Sequence, residues 1–253
     1  MTRSIHIAKW LRKSPLNYSV IRVDTTQLFQ CMVISSVQSA TCQPNVAKVL
    51  RLMSKPKRIG IFSGSFDPVH KGHIAFALSS LEQAILDAVY FAPETKPRRK
   101  PHVSHISHRV TMLHLATRSL HRLHVLDLTA RYFTPKSTVS KLQQMFPGAE
   151  IVLLMGSDML EHLHTWKHVD YMLSHVELAV GVRSDSDAER VSSLVSELPV
   201  QPKAITIIHT DLSEASSSKA RSALRGGGSS GEVTASVQAY AKKNWLYHDL
   251  TSL

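Results

Sequence analysis

The run RIGIFSGSFDPVHKGHIAFALSSLEQ, residues 58–83, decides the fold of this chain. It begins with Ile59–Phe62, a short β-rich run of strand length. From Ile74 onward, apolar residues return three and four positions apart, which predicts a helix that begins near this residue. The turn between them contains Gly64 and Gly72. A strand that leads through such a turn into a helix is typical of an α/β domain, and the turn is the first place to look for a ligand.

The same alternation of short strands and helical stretches continues along most of the chain. Because parallel strands need crossover connections of helix length, the alternation predicts an α/β fold with a mainly parallel sheet and helices on both faces. Ligands in such folds bind at the carboxyl ends of the strands, where the strand order reverses. The predicted strands are Ile59–Phe62, Ala88–Phe91, Leu123–Leu126, Ile151–Met155, Leu178–Val182 and Ile205–Ile208.

Size and composition fit one catalytic domain. The chain has 253 residues, 43% of them hydrophobic, which is enough for a buried core of ordinary size. Its apolar runs stop at strand length, well short of the roughly 18 residues that a membrane span needs, so no span is predicted. Both cysteines, Cys31 and Cys42, lie before residue 57, and a cysteine-free main body fits a reducing cytoplasm.

The first 56 residues differ from the others in charge. They carry eight Lys or Arg and one Asp, so +7 of the formal charge of +11 lies there and +4 on residues 57–253. A mild positive charge on the larger part suits a protein that gathers polyphosphates better than a dedicated nucleic-acid binder. We therefore predict a basic extension, residues 1–56, and a catalytic domain, residues 57–253. The extension is interpreted as disordered or not native, with a transit peptide or a genuine extra element as alternatives.

The turn after the first strand has the residues needed to bind phosphate. Gly64 allows backbone N–H groups to approach phosphate oxygens, and the helix start adds its unpaired N–H groups and positive dipole end. His70 and His73 can both reach one phosphate and donate to its oxygens as charge builds on a leaving pyrophosphate. Gly72 leaves room for the nucleotide. The competing interpretation is that the two histidines cap the helix or lie on its solvated face.

The block GSFDPVHKGH, residues 64–73, lies after a strand and before a helix and resembles the HxGH nucleotidyltransferase superfamily. The resemblance implies a Rossmann-like fold in which His70 and His73 contact the phosphates of ATP and are the catalytic residues. It also implies that Asp67 and the backbone around Gly64 shape the ATP site. The residues of the block predicted to bind ATP are Gly64, Ser65, Phe66, Asp67 and Gly72.

Another segment resembles the bacterial-type nicotinate-mononucleotide adenylyltransferases. Gly156-Ser157-Asp158 follows the fourth strand like the Gly-x-Asp of that family, which implies that Asp158 contacts the adenosine ribose. Trp166 stands where the family has a Trp that stacks on the pyridine ring of the acceptor, a suitable use of an indole face. Taken alone, it would be interpreted as a helix-packing residue. We predict that Gly156 and Asp158 bind ATP and that Trp166 binds the mononucleotide.

The segment Ser216–Arg221, SSSKAR, resembles the motif with which the same family holds the outer phosphates of ATP. Hydroxyls at a helix start and an Arg one turn later can clamp a polyphosphate, and a Ser-rich helix cap is the competing interpretation. The resemblance implies that Ser217, Ser218 and Arg221 bind ATP. It continues to a Leu-Tyr ending at Tyr247 and so covers nearly all of the larger part.

The acceptor side departs from the family. A basic loop, Lys96–Pro101, stands where the family has Pro-Pro-His-Lys, and Arg131–Thr134 abbreviates its Arg-x-Gly-x-Ser-Tyr-Thr region. The choice between the acid and the amide form of the mononucleotide is therefore open. Thr134 is predicted to bind the mononucleotide. The same is predicted for Arg183, which follows the fifth strand, with exposure to solvent alone as the alternative.

Together, these segments predict an enzyme that transfers AMP from ATP to nicotinate mononucleotide and releases pyrophosphate. The expected partners are ATP and this mononucleotide, without nucleic acid or membrane, and a homo-oligomer is possible. The alternatives are another nucleotidyltransferase of the superfamily, with nicotinamide mononucleotide or phosphopantetheine as acceptor, and a nucleotide- or nucleic-acid-binding protein without turnover.

Mg²⁺ is expected to come with ATP, held mainly by phosphates and water. A protein metal site is not predicted. His102, His105 and His108 are spaced so that they could present imidazoles from successive turns, but no carboxylate or thiolate stands at a typical ligand spacing.

Overall fold

The computed structural model describes residues 58–98, 100, 102–128, 130–210 and 215–248. The predicted basic extension, residues 1–56, lies outside them, so the division of the chain stays a prediction. The described part contains a six-stranded sheet in which all five neighbouring pairs are parallel. The predicted α/β class with a parallel sheet is confirmed.

The strands lie where the sequence predicts them, with shifts of one or two residues at their ends. They are β1 (Arg58–Gly64), β2 (Ala88–Pro93), β3 (Leu123–Val125), β4 (Glu150–Gly156), β5 (Glu177–Val182) and β6 (Ile205–His209).

Helices connect the strands and follow the last one. They are α1 (Lys71–Gln83), α2 (Ile106–Thr117), α3 (Pro135–Met145), α4 (Ser157–Leu160), α5 (Val169–His175), α6 (Asp185–Ser196), α7 (Ser217–Leu224) and α8 (Ala235–Lys243). α1 begins three residues before the predicted start near Ile74, because periodicity detects the buried face and the first turn consists of Lys71, Gly72 and His73. Among the described helices, none combines the length and the apolar character needed to cross a bilayer.

Both faces of the sheet are buried. Alternate residues of β4 point to opposite sides, so Ile151 and Leu153 join one hydrophobic cluster while Val152 and Leu154 join the other. The first cluster includes residues of α3, α5 and α6, and the second includes residues of α1, α2, α7 and α8. Burial on both faces explains why the central strands are continuous apolar runs rather than alternating ones.

The order of the strands places the ends of β1 and β4 together. The sheet order is β3-β2-β1-β4-β5-β6, so the order reverses between β1 and β4, where ligands bind in open α/β sheets. The register pairs Phe62 with Leu154, and both strands continue for two more residues, to Gly64 and Gly156. The loops that follow these two glycines therefore begin side by side at the carboxyl edge of the sheet.

Candidate active site

The signature loop, Ser65–His70 between β1 and α1, is anchored by a buried arginine. Arg109 of α2 is fully buried and donates hydrogen bonds to three backbone carbonyls. Its Nη1 lies 2.7 Å from the oxygen of Ser65, its Nε 2.8 Å from that of Ser104 and its Nη2 3.2 Å from that of Thr95. A buried guanidinium with three acceptors is well satisfied. It therefore fixes the signature loop relative to the segments after β2 and before α2.

His70 and His73 stack at the start of α1, with ring centroids 3.6 Å apart. His70 is the N-cap residue, as the capping interpretation expects, but its buried Nδ1 has no hydrogen-bond partner among the described residues. Nδ1 of His73 accepts a hydrogen bond from the backbone N–H of His70 at 3.2 Å, which assigns the proton of the neutral ring to Nε2. A buried nitrogen without a partner is costly, and a bound ligand is one way to satisfy it.

Burial keeps both imidazoles neutral near neutral pH. Desolvation lowers the pKa of His70 from 6.5 to about 4, and the charge of Glu232 opposes it only in part. Desolvation also lowers the pKa of His73 well below its usual value, and the charges of His70 and Lys100 act in the same direction. A neutral imidazole donates one N–H without carrying a charge. The pair therefore offers hydrogen bonds rather than positive charge to a phosphate.

The side chains of Phe66 and Asp67 face the protein, and the role of these two residues in the ATP site stays a prediction. Phe66 is 1% exposed and packs edge-on against the ring of His73, with centroids 5.0 Å apart. Its φ of 48° is left-handed, an unfavourable conformation for a bulky residue. Asp67 is 2% exposed, and both its carboxylate oxygens accept hydrogen bonds from the protein. These side chains shape and support the signature loop, whose backbone remains for ligand contacts.

The Ser-Arg segment at the start of α7 lies against the signature loop. Oγ of Ser217 donates to the carbonyl of Pro68 at 3.0 Å, although the two residues are 149 positions apart. Nη1 of Arg221 donates to the carbonyl of Asp67 at 2.7 Å, and its Nη2 donates to Oγ of Ser218 at 3.2 Å. The structure therefore brings together two segments that the sequence predicts to bind the same triphosphate.

Glu232 forms a second link between these segments. Its carbonyl accepts a hydrogen bond from the N–H of Lys71 at 2.7 Å, and its carboxylate accepts one from the N–H of Ser216 at 2.8 Å. It thereby joins the first residue of α1 to the N-cap of α7. Sequence reasoning misses this residue, because it belongs to none of the motifs and only the tertiary fold brings it to the site.

The Gly-x-Asp segment lies at the end of β4. A Cβ on Gly156 would lie 2.5 Å from Oδ1 of Asp158, so glycine at this position lets the carboxylate turn back over the strand end without moving. Asp158 is exposed in the first turn of α4. Asp187 holds the segment, because its Oδ2 accepts hydrogen bonds from Oγ of Ser157 at 2.9 Å and from the N–H of Arg183 at 3.0 Å. The Asp158 carboxylate is therefore free to accept from a ligand hydroxyl.

The residues predicted to bind the mononucleotide separate into two places. Trp166 is half-buried, and its ring lies 6.0 Å from that of Phe133, the neighbour of Thr134, which caps α3. Arg183 is exposed at the end of β5, which β4 and β1 separate from β2 and β3. The structure thus groups Trp166 with Thr134 and places Arg183 beside the Gly-x-Asp segment. The binding of the mononucleotide by Arg183 stays a prediction.

The basic loop after β2 makes contacts that its sequence does not reveal. Nζ of Lys100 donates to Oγ of Ser65 at 2.9 Å, and the guanidinium of Arg98 lies 4.1 Å from the centroid of the Tyr132 ring. A cavity of about 660 Å³, large enough for a small ligand, opens between this loop and the start of α2. It is lined by Thr95, Lys96, Pro97, Lys100, Val103, Ser104, His105 and Ile106.

The histidines around α2 have other partners. Nδ1 of His105 lies 2.8 Å from Oγ of Ser107, and Nδ1 of His108 lies 2.9 Å from the hydroxyl of Tyr240. Within the described ranges, no three His, Cys, Asp or Glu side chains are arranged to hold a metal ion together.

This chain is similar to known proteins over the strands and loops that form the candidate site. A family model described as cytidylyltransferase-like matches residues 61–223. The probable nicotinate-nucleotide adenylyltransferase of Neisseria meningitidis serogroup B is 34% identical over 200 residues, covering 76% of this chain and 98% of the relative. The nicotinate-nucleotide adenylyltransferase of Bacillus subtilis is 36% identical over 132 residues, covering 50% of this chain and 69% of the relative.

A solved structure has the same fold. The Plasmodium falciparum nicotinic acid mononucleotide adenylyltransferase complexed with NaAD superimposes with a TM-score of 0.59 at 17% identity, covering 76% of this chain and 97% of that one. The parallel sheet, the signature loop and the matched family model define a nucleotidyltransferase of the cytidylyltransferase-like class. Within that class, the chain belongs to the nicotinate-nucleotide adenylyltransferase family.

Proposed function

We propose that this protein transfers AMP from Mg-ATP to nicotinate mononucleotide, giving deamido-NAD and pyrophosphate in NAD biosynthesis. The observation that carries the proposal is the direct hydrogen bonding between the Ser-Arg segment and the signature loop, at the carboxyl end of β1. One triphosphate can bind to both groups only if they are neighbours. The relatives that are 34% and 36% identical are nicotinate-nucleotide adenylyltransferases, which supports the acceptor.

In this reaction an oxygen of the acceptor 5′-phosphate attacks the α-phosphorus of ATP, opposite the leaving pyrophosphate. A P–O bond forms as the bond to the bridging oxygen breaks, so the protein supplies position and charge stabilisation rather than a nucleophile. The imidazoles of His70 and His73 donate to the phosphate oxygens, and the positive dipole end of α1 stabilises the same charge. Ser217, Ser218 and Arg221 bind the leaving pyrophosphate.

The remaining contacts divide between the two nucleotides. The backbone of the signature loop and Gly72 leave room for ATP, and the exposed carboxylate of Asp158 accepts from the adenosine ribose. Asp187 ties the N–H of Arg183 to the Gly-x-Asp segment, and the exposed side chain of Arg183 is available to the mononucleotide. Trp166 stacks on the pyridine ring of the acceptor, with Thr134 beside it.

Mg²⁺ is bound as part of the substrate Mg-ATP. Phosphate oxygens and water hold Mg²⁺ in most nucleotide sites, with few ligands from the protein. The described residues fit this arrangement, since their donors at the signature loop are N–H and hydroxyl groups suited to phosphate. The cytoplasmic location and the possible homo-oligomer belong to the same proposal.

Turnover with a panel of acceptors tests the proposal. The full chain is incubated with Mg-ATP and, separately, nicotinate mononucleotide, nicotinamide mononucleotide or phosphopantetheine, and pyrophosphate and the adenylylated product are measured. We expect equal amounts of pyrophosphate and deamido-NAD, with the highest kcat/KM for nicotinate mononucleotide. A product only from phosphopantetheine would support a different transferase. ATP binding without any product would support a binding protein without turnover.

A further inference from the structure

Asp67 connects the signature loop to three distant segments. Its Oδ1 accepts a hydrogen bond from the hydroxyl of Tyr247 at 2.8 Å, and its Oδ2 accepts one from the N–H of Ser104 at 2.9 Å. Its carbonyl accepts the bond from Nη1 of Arg221 at 2.7 Å. A buried carboxylate needs hydrogen-bond partners for both oxygens, so these bonds hold the side chain of Asp67 in place. Tyr247 is the most distant of these partners along the sequence, 180 positions from Asp67.

Tyr247 is held in place for this contact. It follows α8, is half-buried, and its hydroxyl also lies 3.9 Å from Sδ of Met112. Burial, and next the charge of Asp67, raises the pKa of Tyr247. The hydroxyl therefore stays protonated and can donate a hydrogen bond to Asp67. The φ of Tyr247 is 68° and that of Phe66, next to Asp67, is 48°. Left-handed backbone is unfavourable for bulky residues, so surrounding contacts hold Tyr247 and the residue before Asp67 in these conformations.

We propose that Tyr247 is a positioning residue for nucleotidyl transfer, acting through Asp67 on the backbone of the signature loop. The inference deepens the proposed function, because it concerns the same site. Asp67 lies between Phe66, which supports the ring of His73, and His70, which caps α1. Donors that stabilise a transition state must be held within a fraction of an ångström. The hydroxyl of Tyr247 contributes that constraint without touching the nucleotide.

The variant Tyr247→Phe removes the hydroxyl and keeps the ring. Tyr240→Phe is the matched control, since Tyr240 lies in α8, packs against the same cluster and shares a hydrogen bond with Nδ1 of His108 instead of the loop. We expect Tyr247→Phe to lower kcat about tenfold with little change in the KM for ATP, because the loss falls on the transition state. Tyr240→Phe keeps the wild-type kcat.

A purely structural tyrosine would give a different result. Tyr247→Phe would then lower the melting temperature while kcat per folded molecule, measured well below melting, stayed at the wild-type value, and this outcome overturns the proposal. The double variant Asp67→Ala/Tyr247→Phe supplies a second test, because alanine leaves no acceptor for the Tyr247 hydroxyl. If Tyr247 acts through Asp67, the double variant is no slower than Asp67→Ala alone. If Tyr247→Phe lowers kcat by the same factor whether or not Asp67 is replaced, Tyr247 does not act through Asp67.

Hydrogen exchange tests the inference without turnover. Amides of residues 64–70 should exchange about threefold faster or more in Tyr247→Phe than in wild type, and at the wild-type rate in Tyr240→Phe. Unchanged exchange in Tyr247→Phe overturns the inference even if the wild-type enzyme is active. If the wild type adenylylates no acceptor, the proposed function fails, while faster exchange confined to Tyr247→Phe still supports the link between Tyr247 and the loop.

Discussion

The ATP side and the acceptor side of the site are built differently. On the ATP side, side chains of α7 donate to backbone carbonyls of the signature loop, as Ser217 does to Pro68 and Arg221 to Asp67. On the acceptor side, the loops after β2 and β3 meet through backbone hydrogen bonds, two bonds that involve the side chains of Glu94 and Thr95, and the stacking of one arginine on Tyr132. The first is a network through the interior of the domain, and the second is a contact between surface loops.

The difference reflects what each side has to recognise. The triphosphate is the same in every transfer from ATP, so bonds to the backbone can fix its site. Acceptors differ between enzymes, and side chains on surface loops can change without disturbing the scaffold. Changes on the ATP side should therefore lower turnover with every acceptor, whereas changes on the acceptor side should alter mainly the KM for the mononucleotide.

The largest effect is expected for His73→Ala, on the ATP side. It removes the Nε2–H donor to the phosphate, and loss of one transition-state donor lowers kcat by about two orders of magnitude. Measurement of kcat with each acceptor checks this, with His114→Ala, an exposed histidine of α2, as the control. A fall in kcat with only one acceptor would contradict the division of the site into an ATP side and an acceptor side. Near-normal kcat would refute the role of His73.

Replacement of Arg221 should have the next largest effect. We expect Arg221→Ala to lower kcat/KM for ATP about 30-fold, because charge-assisted bonds to phosphate are strong. Arg221→Lys should recover only part of this, since an ammonium lacks the planar fork that reaches both the phosphate and the loop carbonyl. Steady-state kinetics with ATP varied at saturating acceptor give the comparison. Equal values for Arg221→Ala and wild type would contradict the clamp.

Trp166 tests the acceptor side. Trp166→Ala should raise the KM for the mononucleotide about tenfold through loss of stacking, and leave the KM for ATP within about twofold. Trp166→Phe keeps a flat ring, so its KM for the mononucleotide should lie between those of wild type and Trp166→Ala. A parallel rise in both KM values would mean that Trp166 supports the whole site rather than the acceptor.

The same contrast explains how far the sequence could predict this site. The signature loop is a contiguous block after a buried strand, so composition and spacing locate His70 and His73 directly. Asp67 illustrates the limit, because a carboxylate in a motif gives no sign of whether it faces a ligand or Tyr247. Its partner lies 180 positions away, and only the packing of α8 against α2 brings them together.

On the acceptor side, the limit is of another kind. The position of Arg183 along the chain indicates a strand end, but not on which side of β1 that strand lies. The strand order places β5 next to β4, and Asp187 ties the N–H of Arg183 to the Gly-x-Asp segment. The role of Glu232 and the contact of Lys100 with Ser65 are not predictable in the same way, since Glu232 lies in the loop between α7 and α8 and Lys100 in the loop after β2, and only the fold brings them to the site.

The smallest expected effect is the response of stability to pH on the ATP side. Folding lowers the pKa of His70 from 6.5 to about 4, so between these values the unfolded chain binds a proton that the folded one does not. The free energy of unfolding should therefore fall as the pH drops through this window, by at most about 1.4 kcal/mol per unit from this group. His70→Asn keeps a good N-cap and removes the contribution, so urea unfolding should show a steeper loss of stability with falling pH in wild type than in His70→Asn. His164→Asn, which removes an exposed imidazole on the acceptor side, controls for the substitution itself. Parallel curves for wild type and His70→Asn would mean that His70 does not lose its proton on burial, and the hydrogen-bonding role of the neutral pair would fail with it.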